Sequence, residues 1–107
     1  MLSRQTGLME ANRIVLEAVA LGRCIEAVYN GGKVLLAPHI LYTRHDELYV
    51  DAVTIARDGV PPREVKIGAF KLTGLRDLAL TDRGFDREAA FDPGDSRYAG
   101  VTLFAVA

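Results

Sequence analysis

From residue 23 onward the chain is interrupted about every ten residues by turn chemistry, a rhythm that restricts it to folds built from short antiparallel strands. Residues 23–29 read Arg-Cys-Ile-Glu-Ala-Val-Tyr, and Asn30-Gly31-Gly32 supplies the positive φ angles of a tight hairpin. Residues 33–42 return as a second strand. Arg44, His45 and Asp46 make a polar turn, and residues 47–55 form a third strand. Asp58-Gly59 with Pro61-Pro62 makes a longer loop, because two prolines cannot both donate into a ladder. Residues 63–70 are expected as the fourth strand, 72–75 as a tight connection and 77–80 as the fifth.

Ahead of this meander, Leu8, Ala11, Val15, Ala18 and Val19 recur at helical spacing, with Ile14 and Leu21 widening the stripe. Thr6 is the expected N-cap, and Gly22 can take the left-handed conformation that ends the helix. Five short antiparallel strands with one helix leave edges that closure would remove, so the expected fold is mostly β with one N-terminal helix: a small SH3-like or Sm-like barrel. Residues 1–107 then form a single domain, with the helix in 1–22, the barrel in 23–86 and a C-terminal extension in 87–107. Gly84 to Arg97 is polar and reads as a linker or an ordered loop. Residues 98–107 are apolar again and suit a strand closing an edge, in this molecule or in a second copy.

Half of the 107 residues are hydrophobic and a quarter are charged, enough apolar surface for one core. No apolar run approaches the roughly 20 residues of a membrane span, and no leader pattern opens the chain, which points to a cytoplasmic protein without a membrane partner. The single cysteine, Cys24, excludes an internal disulfide and a multi-cysteine metal cage. The net charge of −1 is uneven: residues 23–76 carry eight basic side chains against six acidic ones, and residues 77–107 three against six. This permits a local basic patch but not the broad footprint of a duplex-DNA binder.

In order and spacing the strand segments resemble the WYL domain, a small barrel of bacterial transcription regulators. Ile25-Glu26-Ala27-Val28-Tyr29 is similar to the family's opening strand ending in tyrosine, and Pro38-His39-Ile40-Leu41 to its proline and leucine segment. Leu48-Tyr49-Val50 stands where the family's naming tripeptide falls, and keeps the tyrosine. Phe70-Lys71-Leu72-Thr73-Gly74-Leu75, followed by Leu78, Leu80 and Phe85, resembles the Phe-Arg-Leu-Asp-Arg-Ile signature and its trailing strand. The resemblance covers residues 23–86. It implies a regulatory module that senses nucleic acid or a nucleotide-like effector. Lys71 replaces the signature's first arginine and loses the planar fork suited to phosphate; Thr73 and Gly74 replace its acid and its second arginine. Family regulators carry an N-terminal helix-turn-helix longer than the stretch preceding residue 23, so the expectation is either a stand-alone barrel acting in trans or a remnant that oligomerises.

Tyr49 is the first candidate for ligand contact. Leu48 and Val50 share one strand face and Tyr49 takes the other, where it is either a stacking platform or a ring packed in the wall. Lys71, Arg63, Lys66 and Arg44 are candidates for an anion, although the spacing of Arg63 and Lys66 puts those two on opposite strand faces. His39 and Tyr42 are candidates for hydrogen bonds on the same surface.

Catalysis and metal binding find no support. His45 reads as a solvent-exposed turn residue, Cys24 as a small buried hydrophobe, and no nucleophile, base and orienting acid fall into a known order. No cofactor is implied. The expectation is therefore a ligand-binding regulatory module for single-stranded nucleic acid or a nucleotide-like anion. Its competitor is a barrel that has lost its site and acts only in assembly, as a homodimer or with a protein partner in trans.

Overall fold

In the computed structural model, which describes residues 7–107, helix α1 spans Leu8–Leu21 and buries Ala11, Ile14, Val15, Ala18 and Val19. These positions share one side of a 3.6-residue repeat, so the sequence stripe becomes the packed face. Gly22 stops the helix in the left-handed region, with φ 66° and ψ 41°, and returns its N–H to the Ala18 carbonyl. The expected cap at Thr6 lies outside the described residues. Gly7 precedes the first turn and makes no side-chain cap.

Six strands follow: β1 (Arg23–Tyr29), β2 (Gly32–Arg44), β3 (Glu47–Arg57), β4 (Ile67–Lys71), β5 (Arg76–Gly84) and β6 (Thr102–Ala105). Two-residue turns with positive φ join the first three, Asn30 and Gly31 at 49° and 74°, then His45 and Asp46 at 51° and 60°. Such turns match the right-handed twist of the strands they connect. The strands form one antiparallel sheet in the order β4-β3-β2-β1-β5. β6 pairs with Ile40, Leu41 and Tyr42 of β2, continuing the edge along which β1 pairs only with residues 32–36.

The fold is mostly β with one helix, but two expectations need correction. The closed barrel is an open sheet: β4 pairs with β3 and β5 with β1, and no ladder joins β4 to β5 among the described residues. A single 3-10 turn, Leu72–Gly74, carries the chain across the gap while α1 packs over β1, β2, β5 and that turn. The helix thus covers apolar surface that a closed ladder would otherwise enclose. The second correction concerns Arg63, which lies in an exposed loop and not on a strand, because β4 begins only at Ile67.

Both faces of the sheet are covered. Toward α1 lie Val34, Leu36, Leu41, Val50, Ala52, Phe70 and Leu72. Against the opposite face, hereafter the outer face, the segment 85–101 packs as a strap: Phe91 and Tyr98 lie on Ile40 and Tyr42, and Phe85 packs against the cluster of Cys24, Ala37 and Val53. The polar stretch after Gly84 is therefore an ordered cover. A bulge makes this possible, since the β2 and β3 register advances two residues from Pro38 to Ile40 against one from Ala52 to Asp51. The extra residue lets His39 and Ile40 both serve the strap side.

At the first hairpin, the Arg57 guanidinium donates to the carbonyls of Tyr29 at 3.2 Å and Asn30 at 3.1 Å. A β-carbon at Gly32 would lie 2.6 Å from Arg57 Nη2, so a side chain there must displace the guanidinium. Gly32→Ala is expected to destabilise the protein by about 1 kcal/mol through these lost hydrogen bonds. In an Arg57→Ala background the same change should be nearly neutral, and urea unfolding of the four members of this cycle checks it.

Candidate ligand-binding face

Across β2, β3 and β4 one row of the outer face reads Tyr42, Tyr49, Lys71, since Tyr42 is the register partner of Tyr49 and Tyr49 that of Lys71. The rings of Tyr42 and Tyr49 stack with centroids 6.0 Å apart and planes inclined by 28°. Arg44, two residues along from Tyr42 on the same face, holds its guanidinium 5.7 Å from the Tyr49 ring centre. That geometry suits a cation over an aromatic face. Lys71 Nζ lies 2.9 Å from Glu47 Oε2, with both side chains about half exposed. This contact raises the Lys71 pKa above its ordinary value and keeps the ammonium charged.

Four of the seven sequence candidates, Tyr42, Arg44, Tyr49 and Lys71, therefore converge, although Tyr42 is 4 % exposed with its hydroxyl on Asp51 and so supports Tyr49 instead of facing a ligand. Leu48 and Val50 pack toward α1, as the alternation predicts, leaving Tyr49 half-buried on the outer face. Arg63 does not join them. Lys66, also in the loop before β4, is exposed and pairs with Glu64 at 3.5 Å. His39 is the other departure. It is fully buried, and both ring nitrogens are engaged: Nδ1 bonds the Ala37 carbonyl at 2.8 Å, and Nε2 accepts the backbone N–H of Glu88 at 2.9 Å. The bulge explains this placement, because it turns His39 under the strap. His45 is an exposed turn residue.

Beneath the row lies a polar group that the sequence reading passed over. Asp51 is 1 % exposed, and its two oxygens accept the hydroxyls of Tyr42 at 2.6 Å and Tyr98 at 2.5 Å. Arg97 adds a longer ion pair at 3.8 Å from the protein rim. Burial first, and then the bond to Asp51, push both phenols well above the usual tyrosine range, so each remains a donor. A carboxylate between Val50 and Ala52 in an apolar strand was a readable signal, since buried charge requires partners. Tyr98, however, is 47 residues away in sequence.

Farther along the outer face, Ile67, Phe91 and Tyr98 floor a groove of about 370 Å³ between β4 and the strap, with Lys66 and Arg97 on its borders. Asp92 and Asp95 line it as well, so four of its nine lining residues are charged and the rim carries both signs. Among the described residues no His, Cys, Asp and Glu cluster could hold a metal ion. No described helix is long and apolar enough to cross a membrane. Cys24 is buried, and burial pushes its thiol pKa up, with the Arg83 charge opposing. It lacks the low-pKa environment of a reactive cysteine.

No family model matches the sequence, and neither the curated proteins nor the solved structures contain a match. The geometry of the face itself must therefore carry the functional reading.

Proposed function

We propose that the chain is a WYL-like regulatory module that binds a nucleotide-containing or single-stranded nucleic-acid ligand on the outer face and catalyses nothing. The reading rests on one observation: Tyr49 is the direct cross-strand partner of Lys71 and lies beneath the Arg44 guanidinium. An aromatic ring with two flanking cations fits a base and its phosphate. Stacking is tolerant of base identity, and the cations meet the backbone charge. The Lys71 pair with Glu47 is no serious obstacle, because exposed ion pairs contribute only about 0–1 kcal/mol and a phosphate can replace the carboxylate. A reducing cytoplasmic setting accords with the single buried thiol.

The test is fluorescence anisotropy with a labelled single-stranded oligonucleotide at increasing salt. Affinity should fall as salt rises, Tyr49→Ala should weaken binding about tenfold or more through the lost stacking, and Lys71→Ala should lower the salt slope by about one. An affinity indifferent to salt and unchanged in both variants sinks the proposal.

A second reading, assembly without a ligand, is favoured by Leu103 and Phe104 of β6, which are 51 % and 41 % exposed beside the only ladder that strand makes among the described residues. The register slip at Leu103 interrupts that edge and works against strand addition by a partner. Solution mass distinguishes the two readings: a tight dimer with no oligonucleotide binding supports assembly, and a salt-sensitive monomer opposes it.

A further inference from the structure

His39 is the latch of the strap. Its carbonyl accepts the Val106 N–H at 2.8 Å, its Nε2 accepts the Glu88 N–H, and its ring lies 5.1 Å from Phe85 and 5.2 Å from Phe91. A backbone N–H can only donate, so Nε2 must be bare and Nδ1 must carry the proton given to Ala37. The latched imidazole is therefore neutral. A second proton would land on Nε2, turning two donors toward each other in a buried site.

From the latch, aromatic contacts run to the proposed ligand face. Phe91 lies 6.1 Å from Tyr98, Tyr98 lies 5.2 Å from Tyr42 with its hydroxyl on Asp51, and Tyr42 stacks on Tyr49. We infer that a proton on His39 releases residues 85–91 from the sheet, loosens the Tyr98, Asp51 and Tyr42 support beneath Tyr49, and so makes ligand binding proton-linked. The ligand part of this inference rests on the function proposed above; the latch does not.

Every charged group near the imidazole bears on the switch. On the strap, the Glu88 carboxylate favours the charged form and the Arg87 guanidinium opposes it. Asp86 of the strap, Arg83 of β5 and Cys24 of β1 border the same chamber, of about 310 Å³, to which β3 contributes the apolar Val53 and Ile55. Burial has the largest influence and lowers the His39 pKa below its ordinary 6.5, with the Ala37 carbonyl and Glu88 pulling upward. The latched state thus binds a proton less readily than the unfolded chain. Its stabilisation is complete above the ordinary histidine value and is lost as pH falls through the lower folded value.

The experiment is NMR on the full chain between about pH 7.5 and about pH 4.5, the range in which histidine titrates. The His39 ring, the Glu88 amide and the Tyr49 ring signals should move with one midpoint. Protection of the Glu88 amide against exchange, corrected for the intrinsic pH dependence, should fall about tenfold or more as the latch opens locally. His39→Gln, whose amide oxygen can accept from Glu88 without titrating, should flatten that response. A Glu88 protection independent of pH, or the same loss in His39→Gln, overturns the latch. Should that variant not fold, separate midpoints for His39 and Glu88 in the native chain overturn it equally. A Tyr49 ring indifferent to the His39 midpoint overturns the coupling whether or not a ligand is found. Oligonucleotide affinity measured at both ends of the range completes the test. If binding is present but equal at both ends, the proton linkage is wrong; if it is absent throughout, the ligand reading fails while the amide data decide the latch.

Discussion

Asp51→Ala is expected to destabilise the protein by about 3 kcal/mol, a loss of two hydrogen bonds to a charged group with two phenol hydroxyls left behind in the interior. Asp51 is 1 % exposed, and the hydroxyls of Tyr42 and Tyr98 both end on it, so water cannot readily replace the missing acceptor. The partial compensation from Arg97, itself 61 % exposed and 3.8 Å away, disappears as well. Asp51→Asn should cost less. Its amide oxygen can accept from one tyrosine, and its amide group can donate to the other, whose hydroxyl also has lone pairs. Urea unfolding monitored by circular dichroism checks the order, Ala well below Asn and Asn below the native chain, at constant dependence on denaturant. A loss under about 1 kcal/mol for Asp51→Ala would show that the buried carboxylate does not hold the strap to the sheet.

Ending the chain after Arg97 should have a still larger effect. It removes the Tyr98 ring, which is 4 % exposed among Ile40, Tyr42 and Phe91, and every β6 bond to β2. Loss of one buried aromatic side chain costs about 3–5 kcal/mol, comparable with the lower end of the total stability of a small domain. Asp51 is then left without its second phenol, and the His39 carbonyl without the Val106 N–H. The expected product keeps the α1 face of the sheet but exposes the outer face, visible as increased binding of a hydrophobic dye and as loss of exchange protection at Thr43, whose N–H donates to the Val101 carbonyl. A shortened chain that unfolds at the native urea midpoint would refute the view that the strap is part of the core. Tyr98→Phe separates the two contributions, because it keeps the ring and removes only the hydroxyl bonded to Asp51.

Much of the local structure was legible in the residues. The first strand is Arg23–Tyr29 as expected, because Gly22 and Asn30-Gly31 flank it with conformations that neither a helix nor a strand can continue. The turn at His45 and Asp46 and the alternation of Leu48, Tyr49 and Val50 follow from the same short-range rules. Residues 63–66 misled the reading because a β-like composition makes a strand only where a neighbour supplies a ladder, and the β4 ladder on β3 extends no further than Ile67, opposite Val53. The extra length of β2, β3 and β5 has a related cause: pairing partners carry strands through residues whose own preferences do not mark an end.

Of the candidate face, Tyr49 and Lys71 were readable in the sequence, and the sheet register makes them neighbours. His39 shares the outer face with Tyr49 but is buried there, because the strap residue Glu88 whose N–H it accepts stands 49 positions away in the chain and leaves no local mark. Asp51, Tyr98 and Arg97 form a group through contacts that span 46 and 47 positions of the chain. Periodicity and turn chemistry act over a few residues and by themselves determined the helix, the hairpins and the alternating faces of this protein. The open sheet, the buried state of His39 and the strap over the outer face were decided only by tertiary structure, where apolar surface and unpaired polar groups find partners that no local pattern specifies.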